Sequence, residues 1–175
     1  MTTTASTPTK KILTREQCRA LLMHPAGWIA TGFGSGLFPR APGTFGSLVA
    51  LIPWWFALRG LPLAWYVPIL IVAFAIGVWA CSVSGKRLGV DDHRALVWDE
   101  FVGQWIALLA APRGWPWLVA GFLLFRIFDI WKPWPIRIAD RQVHGGLGVM
   151  LDDVLAGLYA LVVMLIATAI LSYVG

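Results

Sequence analysis

Apolar residues fall into five runs, separated by short stretches that hold most of the charge. The first run covers residues 44–58 and is interrupted by Pro53. The second covers 63–83, with Pro68 near its start, and the third covers 98–111. The fourth covers 115–131 and the fifth 154–174. A hydrocarbon core takes about 20 residues of helix, so the second and fifth are full-length spans and the other three are short. The pattern predicts an all-α fold: a multi-pass membrane helix bundle preceded by an amphipathic and loop segment. Residues 14–23 (TREQCRALLM) form the amphipathic piece, with Thr14 as N-cap. Residues 1–13 are expected to be a disordered polar tail, and 14–175 a single membrane-embedded domain. Between them and the first run, residues 32–47 (GFGSGLFPRAPGTFGS) read as a loop rich in Gly and Pro.

Composition supports a membrane chain. It is 58% hydrophobic and 13% charged, with a mean hydropathy of +0.72, where ordinary globular chains carry about 25% charged residues. Many of the 11 Trp lie near run ends (Trp28, Trp65, Trp98, Trp115, Trp117, Trp131, Trp134), as an aromatic belt requires. The net charge of +5 is scattered between apolar runs, which suits membrane orientation and lipid headgroups rather than nucleic acid. The two cysteines, Cys18 and Cys81, offer neither a disulfide framework nor zinc spacing. The start lacks the apolar core of a signal peptide.

With five spans, one side carries Lys10, Lys11, Arg15, Arg19, Arg40, Lys86, Arg87, Arg94, Lys132, Arg137 and Arg141, and the other only Arg59 and Arg113. That asymmetry places the first side in the cytoplasm. Every acidic residue then shares it. Asp99 and Glu100 open run three, Asp129 ends run four, and Asp152 and Asp153 precede run five. If runs three and four form a hairpin that never crosses, the acids still share one edge.

Acids in a first helical turn are explained by the helix dipole alone, which covers Asp99, Glu100, Asp152 and Asp153. It does not cover Asp129, which ends a helix and lies near hydrocarbon, where an unpartnered charge is costly. Arg126 and Lys132, each three residues away, stand on its face. Several carboxylates at one depth repel, and a divalent cation with oxygen ligands relieves this. Gly103 follows Asp99 by four residues and Gly157 follows Asp153 by four, so a small residue shares a face with each acid and permits close helix approach. Arg40 and Arg126 suit phosphate oxygens and Lys132 supplies a point charge; Thr44 lies in the same glycine loop as Arg40. That loop is no dinucleotide fingerprint, since no alternating strand precedes it and no acid follows about 20 residues on, and no P-loop, since no GK[ST] closes it. The C-x5-R spacing of Cys81 and Arg87 is set aside, because Cys81 ends an apolar helix where a thiolate is disfavoured.

Four blocks, LFPRAPGTFGS, VWDEFVG, FRIFDIWKPWPI and GGLGVMLDDVLAG, resemble in order and spacing the signature blocks of the phosphatidylglycerophosphatase A family. The resemblance implies an all-α, magnesium-dependent membrane phosphatase. Its substrate would be phosphatidylglycerophosphate, its product phosphatidylglycerol, and its site would lie at the cytoplasmic face of the bacterial inner membrane. Combined with the residues, it assigns metal binding to some of Asp99, Glu100, Asp129, Asp152 and Asp153. Catalysis goes to Asp99, Glu100, Asp129 and Asp153, and substrate contacts to Arg40, Thr44, Arg126 and Lys132. Water or an Asp can serve as nucleophile. The competing reading is a small transporter or channel that uses the acids as a proton or cation path; such sites lie at the midplane between repeats, and no repeat is apparent here.

Overall fold

A computed structural model describes residues 13–174. The expected polar tail therefore lies, apart from Leu13, outside the described residues. Among those residues there are eight α-helices and no strand.

Helix α1 (Arg15–Leu22) starts from a capping box, in which Thr14 and Gln17 each accept the other's backbone N–H. Helix α2 (Pro25–Ala30) follows at once, with the His24 ring accepting from Ala26 N–H and Pro25 at the first position. The glycine-rich stretch is less of a loop than expected. Helix α3 (Pro42–Pro53) begins inside it, so Thr44 sits in a first helical turn. Pro53 removes an amide donor, and the chain continues through one π-helical turn, Trp54–Leu58, closed by Arg59 N–H on the Trp54 carbonyl.

Helix α4 (Leu63–Leu88) ends on Gly89 in the left-handed region, with Lys86 and Arg87 in its last turn. Helix α5 (Trp98–Ala107) has ten residues, and all but Glu100 are buried. Helix α6 (Trp115–Trp131) ends on Lys132, which is left-handed at φ 45°. Helix α7 (Ile136–Gln142) follows two prolines, Pro133 and Pro135. Helix α8 (Gly145–Val174) is the hub, packing on α4, α5, α6 and α7.

Two helices, α4 and α8, are long and apolar enough to cross a bilayer. Only 28% of the most apolar stretch of each is buried in the protein. Side chains such as Ile71, Val72, Leu165 and Ile170 face outward, which water would not tolerate over such an area. The chain is a multi-pass membrane bundle. Run three is corrected: at about 1.5 Å per residue, α5 reaches only halfway through a hydrocarbon core, and it is enclosed by α3, α4, α6 and α8. Trp98, expected in the belt, is a core residue instead.

The buried indoles tie α5 in place. Trp98 donates to the Ala73 carbonyl and Trp105 to the Ala50 carbonyl, both at 2.9 Å, while Tyr66 donates to the Trp105 carbonyl at 2.8 Å. In an apolar interior each polar atom needs such a partner. On the other side α5 runs alongside α8 at very short range. A Cβ on Gly157 would stand 2.5 Å from the Gly103 carbonyl oxygen, so glycine at both positions lets the two backbones touch.

Candidate active site

The α5–α8 contact sets the depth of the acids. Asp99 lies one turn before Gly103, and Asp153 one turn before Gly157, so the glycine contact brings both carboxylates to one level. Helix α8 starts nine residues before the fifth apolar run. Asp152 and Asp153 therefore sit two turns inside it, and no acid occupies its first turn. Dipole capping, which the sequence offered as their explanation, does not apply. Each of Asp99, Asp152 and Asp153 offers one oxygen, and the three lie within 4.8 Å of one another.

Helix α6 closes the site from the side. Asp129 Oδ2 accepts from Arg126 Nη1 at 2.5 Å, as the three-residue spacing suggested. The same nitrogen reaches Ser47 Oγ on α3 at 3.4 Å. Lys132 does not pair with Asp129, contrary to expectation. The left-handed turn carries it past the helix end, where Nζ binds Asp152 Oδ2 at 2.6 Å and Asp140 Oδ1 at 2.5 Å. Burial works against the Lys132 charge, but the Asp152 and Asp140 carboxylates outweigh it and hold its pKa above the ordinary value.

These groups line one cavity of about 390 Å³, within the usual range for a small-ligand pocket. Seven of the nine residues selected from the sequence meet there: Asp99, Glu100, Arg126, Asp129, Lys132, Asp152 and Asp153. Arg40 and Thr44 do not line it, and Arg40 is exposed. Their loop contributes through Pro42 and Gly43 instead. A side chain on Gly43 would run into Glu100 Oε1 and come within 3.5 Å of Arg126 Nη1, so glycine keeps that wall open. Asp92 and Arg94 also line the cavity and were not selected. Their sequence signal was weak: both lie in a polar loop, and long-range contacts such as the Arg94 bond to the Pro39 carbonyl, 55 positions away, draw that loop over the site. A smaller space of about 100 Å³ adjoins the cavity and shares Asp92, Asp99 and Asp152 with it.

The donor set fits a hard divalent cation. Asp99 Oδ1, Glu100 Oε2, Asp152 Oδ1 and Asp153 Oδ2 are buried and accept no hydrogen bond among the described residues. Four such oxygens are costly without a positive partner. All are carboxylates, with no thiolate or imidazole among them, which favours magnesium-type over zinc-type ligation. Arg126 Nε is likewise buried without an acceptor, leaving one guanidinium donor for an anion.

The phosphatidylglycerophosphatase A family model matches residues 28–168, which include every residue of this cavity. The chain belongs to the phosphatidylglycerophosphatase A family. It is 48% identical over 158 residues to the phosphatidylglycerophosphatase A of Escherichia coli (strain K12), covering 90% of this chain and 87% of the relative. Against the phosphatidylglycerophosphatase A of Haemophilus influenzae the identity is 43% over 162 residues, or 92% and 94% of the two chains. A Bacteroides thetaiotaomicron protein with the provisional name phosphatidylinositol-3-phosphatase is 47% identical over 146 residues, 79% of this chain and 91% of its own. No solved structure matches. The four sequence blocks that carried the resemblance coincide with the elements that build the cavity: the start of α3, the start of α5, the end of α6 and the first half of α8.

Proposed function

We propose that this protein hydrolyses the terminal phosphomonoester of phosphatidylglycerophosphate, giving phosphatidylglycerol, with magnesium as cofactor and at the cytoplasmic face of the inner membrane. The observation that carries the reading is the set of four buried, unpartnered carboxylate oxygens beside a half-satisfied guanidinium, in a cavity at one end of a membrane bundle. The family membership supports the lipid phosphate as substrate.

Asp99, Asp152 and Asp153 would hold the cation, with Glu100 and Asp129 beside them. Once bound, it supplies charge neutralisation and Lewis-acid polarisation at a phosphoryl oxygen. Arg126 presents its free Nε–H to a second phosphoryl oxygen, while its Asp129 bond fixes the guanidinium plane. Lys132 holds Asp152 in place and lends positive charge to the cavity rim. Glu100 Oε2 accepts the proton of the attacking water as the new P–O bond forms; the ester P–O bond breaks, and the departing glycerol oxygen takes up a proton to become the free hydroxyl of phosphatidylglycerol. Arg40, exposed just before α3, meets the headgroup as it approaches, and Thr44 stands in the first turn of that helix. The acyl chains stay in the bilayer, beside the outward apolar faces of α3 and α6.

The test is phosphate release from phosphatidylglycerophosphate in detergent micelles, with magnesium and after chelation. Release that stops on chelation and returns with magnesium supports the reading. Release that chelation leaves intact, or no release from this lipid under any condition, refutes it. A transporter or channel would release no phosphate.

A further inference from the structure

We propose that a groove beyond the end of α6 is a second lipid site, one that takes the phosphodiester headgroup of an anionic glycerophospholipid from the surrounding leaflet. The groove has a volume of about 390 Å³ and is lined by Trp131, Pro133, Trp134, Arg137, Ile138 and Arg141. It shares no lining residue with the carboxylate cavity, so it does not rest on the hydrolase reading.

Charge selects the ligand. Arg137 and Arg141 lie one turn apart on α7, and like charges at that spacing repel. Neither has an acidic partner among the described residues, and the only carboxylate on α7, Asp140, is bound to Lys132. No carboxylate lines the groove. Two guanidinium forks therefore line the groove with no carboxylate to offset them, a match for an anion. A zwitterionic headgroup would bring an ammonium that finds no acceptor charge here, so the site discriminates for a net negative lipid.

Shape and position select a membrane lipid over a free anion. Trp131 and Trp134 are 66% and 75% exposed, at the end of an apolar helix where indoles sit at headgroup level. With Ile138 they give the groove apolar walls against the glycerol and the first acyl carbons. The groove is also preformed. Ile136 anchors α7 in the core beside Phe125 and Ala156, and Tyr159 Oη donates to the Trp134 carbonyl at 2.9 Å.

The experiment is native mass spectrometry of the purified protein, equilibrated with equal amounts of phosphatidylglycerol and phosphatidylcholine. The wild type should retain phosphatidylglycerol about thirtyfold over phosphatidylcholine, from two arginines at a surface. Arg137→Gln with Arg141→Gln should bring the ratio close to one, and Arg141→Gln alone should leave about fivefold. Arg126→Gln, in the carboxylate cavity, should leave the preference unchanged. An unchanged ratio in the double variant overturns the proposal, as does a wild type with no preference. Loss of preference in Arg126→Gln also overturns it, because the lipid would then lie in the carboxylate cavity.

Discussion

Substituting Gly157 by Ala tests whether the site depends on the approach of two backbones. The added Cβ would lie 2.5 Å from the Gly103 carbonyl oxygen and 3.1 Å from Gly103 Cα. That is about 0.9 Å short of ordinary contact, and the obstacle is backbone, which no rotamer change can relieve. Helices α5 and α8 must therefore separate by most of that distance. Asp99 and Asp153 lie one turn away on the same two helices, so their carboxylates part by a similar amount. Oxygens that now lie within 4.8 Å would exceed the span that one cation reaches at about 2.0–2.6 Å per ligand. The expected loss is about 10²-fold in kcat, the usual consequence of a displacement near 1 Å, with a stability cost of about 1–3 kcal/mol. The assay is phosphate release with magnesium, paired with cation titration by calorimetry and thermal unfolding in detergent. Gly60→Ala is the control, because a Cβ there meets nothing within 4 Å. Turnover and cation affinity near wild type in Gly157→Ala would refute the argument that this contact sets the spacing of the acids.

Asp129→Asn should lower turnover by about 10²–10³-fold while the protein still inserts in membranes, since it loosens the bond that orients Arg126; near-normal phosphate release would count against the role of Asp129. Asp153→Asn should weaken magnesium binding by at least about tenfold in calorimetry, because it neutralises one of three clustered oxygens; unchanged affinity would place the cation elsewhere. Lys132, whose pKa is raised in the folded state, should make its full contribution below about pH 10.4, the ordinary lysine value, and lose it only as pH climbs through the higher folded value. No decline in unfolding temperature from this group is then expected between pH 6 and about 9, and a decline that Lys132→Met removes would contradict that. Trp105→Phe should cost about 1 kcal/mol in detergent unfolding, because it leaves the Ala50 carbonyl without its indole donor.

Much of the fold was legible because membrane helices announce themselves locally. Runs of apolar residues marked α4, α6 and most of α8, and Thr14 marked the start of α1. The sharing of one edge by the acids followed from the parity of the runs and the bias of basic residues, and the glycines one turn after Asp99 and Asp153 pointed to a close crossing. Other features escaped because they depend on where a helix ends rather than on spacing within it. The i, i+3 pairing of Asp129 with Lys132 assumed that α6 continued, but the chain leaves the helix at Lys132 with φ 45°, and its ammonium turns to Asp152 and Asp140. Nor does local sequence show that α8 takes in Gly145, Gly146 and Gly148; α4 lies directly against Gly146, where any larger residue would collide.

By itself the sequence determined the long apolar elements, the membrane setting and the inventory of charged groups, since hydrophobic burial and capping act within one turn or one span. Tertiary structure decided which charges meet. It buried α5 as a half-length helix, drew Arg94 and Asp92 over the cavity, left Arg40 outside it, and stripped four carboxylate oxygens of partners. Those outcomes depend on contacts between residues tens of positions apart, and no local preference encodes the distance between two helices until their side chains, or the lack of them at Gly103 and Gly157, fix it.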